Sequence, residues 1–218
     1  MKTLAEAQKL KQELILIGAS YDRGFGASAS ARSNAKRVIQ ELEDYNPTTF
    51  AAQGIDGGGS SSPLEGSWRM IWTTAPDVLV LGASPVSTVG AIYQVFDPPL
   101  VTNIIDFIPK SQSLLPSLLP SSLLRAEVTT KASSRTDDPQ NRVGLNFESV
   151  KLNPVELLGQ PVKGVLPPLG FNLPQIPFVD PETSPGYFDV TYLDDELLII
   201  KQAGQGLFAL VKVTNSDP

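Results

Sequence analysis

The segment Gly66-Ser67-Trp68-Arg69-Met70-Ile71-Trp72-Thr73-Thr74 alternates along its length. Trp68, Met70 and Trp72 fall on one side, with Ser67, Arg69, Ile71 and Thr73 on the other. A period of two, carried by aromatic and β-branched residues, is what a half-buried strand requires. Both tryptophans of the chain lie on this one face, so the segment is expected at the centre of the fold. Gly66 has no Cβ and leaves room for another backbone to approach.

Comparable stretches follow. Residues 89–97 and 100–108 are separated by Pro98-Pro99, a tight corner. In 124–132, Leu124, Ala126, Val128, Thr130 and Ala132 alternate with Arg125, Glu127, Thr129 and Lys131. The polar turn Thr136-Asp137-Asp138-Pro139 leads into 142–151, where Val143, Leu145 and Phe147 share a face. Three more strands are expected at 186–193, 196–203 and 207–213, with turns at Asp194-Asp195 and Ala203-Gly204-Gln205-Gly206. That makes about eight strands, the number at which a closed barrel just holds one small ligand. Hairpins following one another without helices between them imply an antiparallel meander. The fold class is therefore mainly β, an antiparallel barrel preceded by helices.

Those helices come first. Leu4, Ala7, Leu10, Leu14 and Ile17 recur at helical spacing, with Gly18 as the stop. After the turn Tyr21-Asp22-Arg23-Gly24, a second helix is capped by Ser28 or Ser30 and runs to about Tyr45, ahead of Asn46-Pro47. The expected organisation is a helical hairpin at 1–53, a flexible Gly/Ser linker at 54–63 and a barrel at 64–218.

Two apolar stretches do not fit a plain barrel. Residues 111–124 carry six leucines between prolines that forbid a long helix. Residues 153–185 hold eight of the nineteen prolines, interleaved with large apolar side chains. Long loops in compact domains are usually functional. Leu114, Leu115, Leu118, Leu119, Leu166 and Phe171 are the residues expected to face a membrane, a lipid or a partner.

Composition removes several functions. Net charge is −6 and the pI is about 4.7, leaving no basic patch for nucleic acid or anionic lipid. The absence of cysteine and histidine removes disulfides, thiol chemistry, the Ser-His dyad and most zinc sites. Asp194, Asp195 and Glu196 are adjacent in a turn, where Asx-turn chemistry is the better reading than acid–base catalysis or a cation site. No catalytic constellation emerges, so no enzyme activity, cofactor or metal is expected. Met1-Lys2-Thr3-Leu4-Ala5-Glu6 reads as neither signal nor transit peptide, so the chain is expected to be made where it works or already trimmed.

Trp68, Met70, Trp72, Tyr93, Phe107, Phe147, Phe188 and Tyr192 are the candidate barrel lining, suited to a ring-bearing lipid or to a solidly filled core. The sequence leaves both open. Asp106 joins them if turned inward, where it would bind a ligand hydroxyl or carbonyl; an outward, solvated residue is the simpler reading. Arg125, Glu127 and Lys131 read as an outer surface ladder, and Arg69 as a partner for a carboxylate of the hairpin.

In order along the chain, Asp22-Arg23-Gly24, Leu42-Glu43-Asp44-Tyr45-Asn46-Pro47-Thr48, Leu64-Glu65-Gly66-Ser67-Trp68-Arg69-Met70-Ile71-Trp72-Thr73-Thr74, Tyr93-Gln94-Val95-Phe96 and Phe188-Asp189-Val190-Thr191-Tyr192-Leu193-Asp194-Asp195-Glu196-Leu197 resemble the fibrillin family, the plastid lipid-associated proteins. The resemblance implies a lipocalin-like barrel at chloroplast thylakoids or plastoglobules, or in a cyanobacterial equivalent. It also implies handling of prenylquinones, carotenoids, tocopherols or fatty acids, with a structural or stress-protective role. The alternative it implies is a scaffold whose apolar loops bind an enzyme of prenyl-lipid (plastoquinone) biosynthesis. One departure stands out: where members carry Arg-Ile-Ser-Arg-Gly-Asp in the last hairpin, this chain has Leu198-Ile199-Ile200-Lys201-Gln202-Ala203.

Overall fold

The computed structural model describes residues 3–114, 119–135, 137–138, 140–172, 186–202 and 206–214. Helices α1 (Leu4–Ser20) and α2 (Ala29–Glu43) are joined through a 3-10 turn at Asp22–Gly24. Both starts are capped. The Thr3 amide donates to the Glu6 carboxylate at 2.9 Å, the Glu6 amide returns a bond to Thr3 Oγ1, and the Ala31 amide donates to Ser28 Oγ at 3.2 Å. One stripe is buried, Ala7, Leu14 and Ile17 on α1 with Ala35, Val38, Ile39 and Leu42 on α2. Gly18 does not stop α1, which continues for two more residues. Its role is contact: a Cβ there would lie 2.2 Å from the carbonyl oxygen of Ile71.

Ten strands follow among the described residues: β1 (Gly66–Thr73), β2 (Ser87–Asp97), β3 (Leu100–Pro109), β4 (Leu123–Ser134), β5 (Arg142–Leu157), β6 (Gln160–Pro161), β7 (Leu169–Asn172), β8 (Gly186–Leu193), β9 (Leu197–Gln202) and β10 (Leu207–Val213). Pairing runs β4-β3-β2-β1-β10-β9-β8-β5, and β4 pairs again with β5, so eight antiparallel strands close into a barrel. The walls are unequal. Strands β2 to β5 have 10 to 16 residues, whereas β1, β8, β9 and β10 have 6 to 8. The long wall therefore overhangs one end, where β7 pairs with β5 beyond the β5–β8 contact. The short helices α3 (Pro76–Leu79) and α4 (Lys110–Leu114) follow the strand ends at this same side.

The stretch 153–185 is thus only partly loop, because β5 continues to Leu157 and β6 and β7 lie within it. Of its described prolines, Pro154 lies within β5 opposite Leu124, where the register with β4 shifts, and Pro161 lies in β6 opposite Glu156. The rest of it, 173–185, lies outside the described residues, as do part of the turn at 136–139 and most of the turn at 203–206.

Two apolar cores result. One fills the barrel, including Trp68, Met70, Phe96, Val101, Val143, Phe188 and Leu210. The other lies between the hairpin and the outer face of β1, β8, β9 and β10, and joins Leu14, Val38 and Leu42 to Trp72, Tyr192, Leu197, Ile199 and Ala209. Trp72 and Tyr192 therefore do not line the barrel. Met70 pairs with Leu210 but Trp72 with Ala209, so Ile71 is an extra residue; likewise Val190 pairs with Ile200 but Tyr192 with Ile199. A bulge inverts the alternation beyond it and sends both aromatic rings to the helices.

Residues 46–64 close the barrel end opposite the overhang. Gly57 to Ser61 are exposed, as a Gly/Ser linker would be, but Ala51, Ile55 and Leu64 are 0% exposed within the barrel core. The segment acts as a plug. Trp68 Nε1 donates to the Leu64 carbonyl at 2.8 Å, the Ala52 amide to Gln140 and the Thr48 hydroxyl to Leu193. Gly66, expected as a site of backbone approach, is required instead by its φ of +120°, with only the Lys212 side chain near its absent Cβ.

A candidate ligand cavity beneath an apolar overhang

The barrel is solid at the plugged end and hollow at the other. Phe96 and Phe188 meet edge to face, with centroids 6.1 Å apart, and with Trp68 they fill the floor. Beyond them lies a cavity of about 240 Å³. Met70, Ile92, Ile105, Val128, Phe188, Ile200, Phe208 and Leu210 form its wall, and Asp77, Val78 and Leu81 beside α3 lie at its mouth. Phe147 also lines it while remaining 56% exposed, so the cavity opens there.

Gln94, Asn103, Thr130 and Gln202 bring amide and alcohol groups to this wall. Thr130 is satisfied, donating to the Val101 carbonyl at 3.0 Å. Gln94 is 6% exposed and its Oε1 has no hydrogen-bond partner. It sits opposite Trp68 on one side and Asn103 on the other, which places its side chain on the barrel's inner face. An unsatisfied buried amide costs about 1–3 kcal/mol, so it asks for an occupant.

Of the residues expected to line a pocket, Met70, Tyr93, Phe147 and Phe188 border the cavity. Trp68 lies in the core beneath it, and Phe107, half-buried, is not among the lining. Asp106 is neither inward nor solvated. It alternates with the lining residue Ile105 and stands opposite Arg125, whose Nε and Nη2 donate to its two carboxylate oxygens at 2.7 and 3.1 Å. Both are under 10% exposed, so Arg125 is no rung of a solvated ladder. The Asp106 hydrogen bond raises the Arg125 pKa further against the opposing effect of burial.

The overhang extends the inner face outward. Leu124, Leu152 and Leu169 continue it in register, Leu124 opposite Phe107 and Leu152 opposite both Ala126 and Leu169. They are 40%, 37% and 74% exposed. Among the expected membrane- or partner-facing residues, Leu119 and Leu166 are exposed. Leu114 ends α4, and Phe171 lies opposite Val150 in β7, but their side chains, like all of Leu115 and Leu118, lie outside the described residues.

Three polar residues, Arg23, Lys11 and Asp194, carry structural roles. Arg23, at a φ of 57°, donates to the carbonyls of Val89 and Gly90 where the β2–β3 register shifts, so it pins the hairpin turn to the barrel. Lys11, on the buried stripe of α1, pairs with Asp194 and with Glu196. Asp194 caps the β8–β9 turn, accepting from the amides of Glu196 and Leu197 at 2.9 and 2.8 Å, as Asx-turn chemistry implies. Arg69, expected to pair with the hairpin, is exposed, with no ion pair among the described residues. A recess of about 470 Å³ beside Lys11, Glu196 and Lys212 is an open crease outside the barrel. No group of three or more metal-ligating side chains occurs among the described residues, and no described helix is long and apolar enough to cross a membrane.

The family model PAP_fibrillin matches residues 8–211, from α1 through the plug and barrel into β10. The chain belongs to the PAP/fibrillin family. It is similar to the probable plastid-lipid-associated protein 2, chloroplastic, of Arabidopsis thaliana, at 24% identity over 97% of this chain and 73% of that protein. The probable plastid-lipid-associated protein 3, chloroplastic, of Oryza sativa subsp. japonica is 27% identical over 94% of this chain and 59% of its own length. The chromoplast-specific carotenoid-associated protein C1 of an Oncidium hybrid cultivar is 27% identical over 93% and 68%. Within this fibrillin barrel, the departure at 198–200 has a clear consequence. Leu198 and Ile200 point into the barrel core, and Ile200 reaches the cavity wall, so this chain's barrel interior is apolar at both positions.

Proposed function

We propose that the chain is a non-enzymatic lipid-binding protein of plastids or their cyanobacterial equivalent. Its barrel takes one hydrophobic small molecule, of the prenylquinone, carotenoid, tocopherol or fatty-acid kind, and its overhang rests on a thylakoid or plastoglobule surface. The observation that carries this reading is the continuity of the cavity wall with Leu124, Leu152 and Leu169, which stay exposed beside the mouth. Contiguous exposed apolar surface marks a contact site, and here it leads into an apolar cavity. The names of the relatives support a plastid setting and lipid association. A structural or stress-protective role follows if the bound lipid is thereby shielded or stored.

The test is flotation with uncharged-lipid vesicles, combined with mass spectrometry of lipid extracted from the purified protein. Binding to vesicles and a stoichiometric co-purified lipid are expected. A protein that neither floats nor carries lipid contradicts the proposal. Deleting residues 112–122 separates the scaffold reading: loss of flotation supports lipid contact, whereas loss only of capture of a prenyl-lipid synthase supports a protein interface.

A further inference from the structure

We infer that the cavity is selective for a neutral, hydroxyl-bearing ring, entered head first, with Gln94 as the anchor that reads the hydroxyl. This rests on the proposal that the barrel binds a lipid and specifies which kind. The first ground is the orphaned Oε1 of Gln94, an acceptor over nine-tenths buried on the inner wall. A hydroxyl donor from a ligand would satisfy it, and Asn103, directly opposite Gln94 in β3, lines the same cavity.

The second ground is charge. Among the described residues no lysine or arginine lines the cavity, and its one carboxylate is Asp77 at the mouth. A fatty-acid carboxylate would enter past a like charge and find no cation inside, a burial that proteins avoid. The third is size. A cavity of about 240 Å³ falls below the range of roughly 300–1,000 Å³ typical for whole drug-sized ligands. It suits a ring, closed around by Phe188, Phe208 and Phe147, while the apolar tail leaves along the exposed overhang. A rigid full-length polyene does not fit inside.

The experiment titrates the protein with α-tocopherol, its O-methyl ether and oleate at pH 8, following tryptophan fluorescence. Saturable tocopherol binding is expected, with the ether about tenfold weaker because its oxygen no longer donates. Oleate should bind more weakly than tocopherol. Gln94→Leu should bind tocopherol and its ether equally. An ether as tight as tocopherol in the wild-type protein overturns the anchor while leaving lipid binding intact, and it does so without relying on the variant's folding. Oleate binding as tightly as tocopherol overturns the selectivity for a neutral head. Failure of all three ligands to saturate overturns lipid binding itself.

Discussion

Lys11 of α1 and Asp194 of the β8–β9 turn form an ion pair in which both side chains are largely withdrawn from water, at 10% and 18% exposure. Tyr192 donates to the same carboxylate at 2.6 Å. This contact ties the helical hairpin to the barrel at a point where the apolar stripe of α1 is interrupted.

Its titration gives the first prediction. Burial pushes Asp194 up, but Lys11, Tyr192 and two backbone amides outweigh it and hold the carboxyl below its usual range. A folded-state pKa below the unfolded one contributes stability that is present above the ordinary carboxylate range and is lost as pH falls through the depressed value. Lys11→Met removes the cation and leaves burial dominant. Urea unfolding should show the variant less stable by about 2 kcal/mol at pH 7, with the gap closing below about pH 4. An equal gap at both pH values would contradict the pairing.

Gly18 carries the second. A methyl group at this position meets the Ile71 carbonyl rather than a flexible side chain, so Gly18→Ala forces the hairpin off β1. Overpacking of this kind costs about 1–3 kcal/mol, against the small gain in helix propensity that alanine brings elsewhere. Thermal unfolding should place the variant below wild type. A raised melting temperature would show that the helix does not rest on β1.

The plug separates sharply into tolerant and intolerant positions. Leu64→Ala, at a 0% exposed site whose carbonyl accepts from Trp68, is expected to cost about 2–5 kcal/mol. Substituting Ser60 and Ser61, both exposed, should change denaturant midpoints little. Equal tolerance at all three positions would return the segment to the role of a linker.

What the sequence disclosed and what it hid follow from the range of each signal. Alternation is local, so the strand positions and the barrel were readable from residues such as Val128 and Thr130. A bulge is a pairing event between strands, and nothing within Trp68-Arg69-Met70-Ile71-Trp72 marks Ile71 as the extra residue. For that reason local alternation points Trp72 and Tyr192 into the barrel, whereas both face the helices. The plug was hidden because Ile55 and Leu64 are isolated among glycines and serines, and their burial depends on the open barrel end behind them. Lys11 was legible, since it shares the stripe of Ala7 and Leu14, but charge argued against burial. Gln94 gave no signal, because a polar residue in a strand ordinarily faces water.

The overhang supplies a prediction about lipid surfaces. Leu152→Glu and Leu169→Glu replace exposed residues and should leave the fold's stability within about 0.5 kcal/mol. Together they should abolish flotation with uncharged-lipid vesicles. Wild-type flotation should be insensitive to salt, since the chain is acidic and the contact apolar. Flotation that vanishes at high salt would point to a charged contact elsewhere.

The central claim is that a hydrophobic molecule enters the barrel rather than only touching its rim. Met70 lines the cavity and is one of two methionines in the chain, so its ε-methyl group is an isolated nuclear magnetic resonance probe. Titration with α-tocopherol should shift the Met70 methyl signal saturably at one ligand per chain. A Met70 signal that does not move, in protein that still floats with vesicles, would contradict the account.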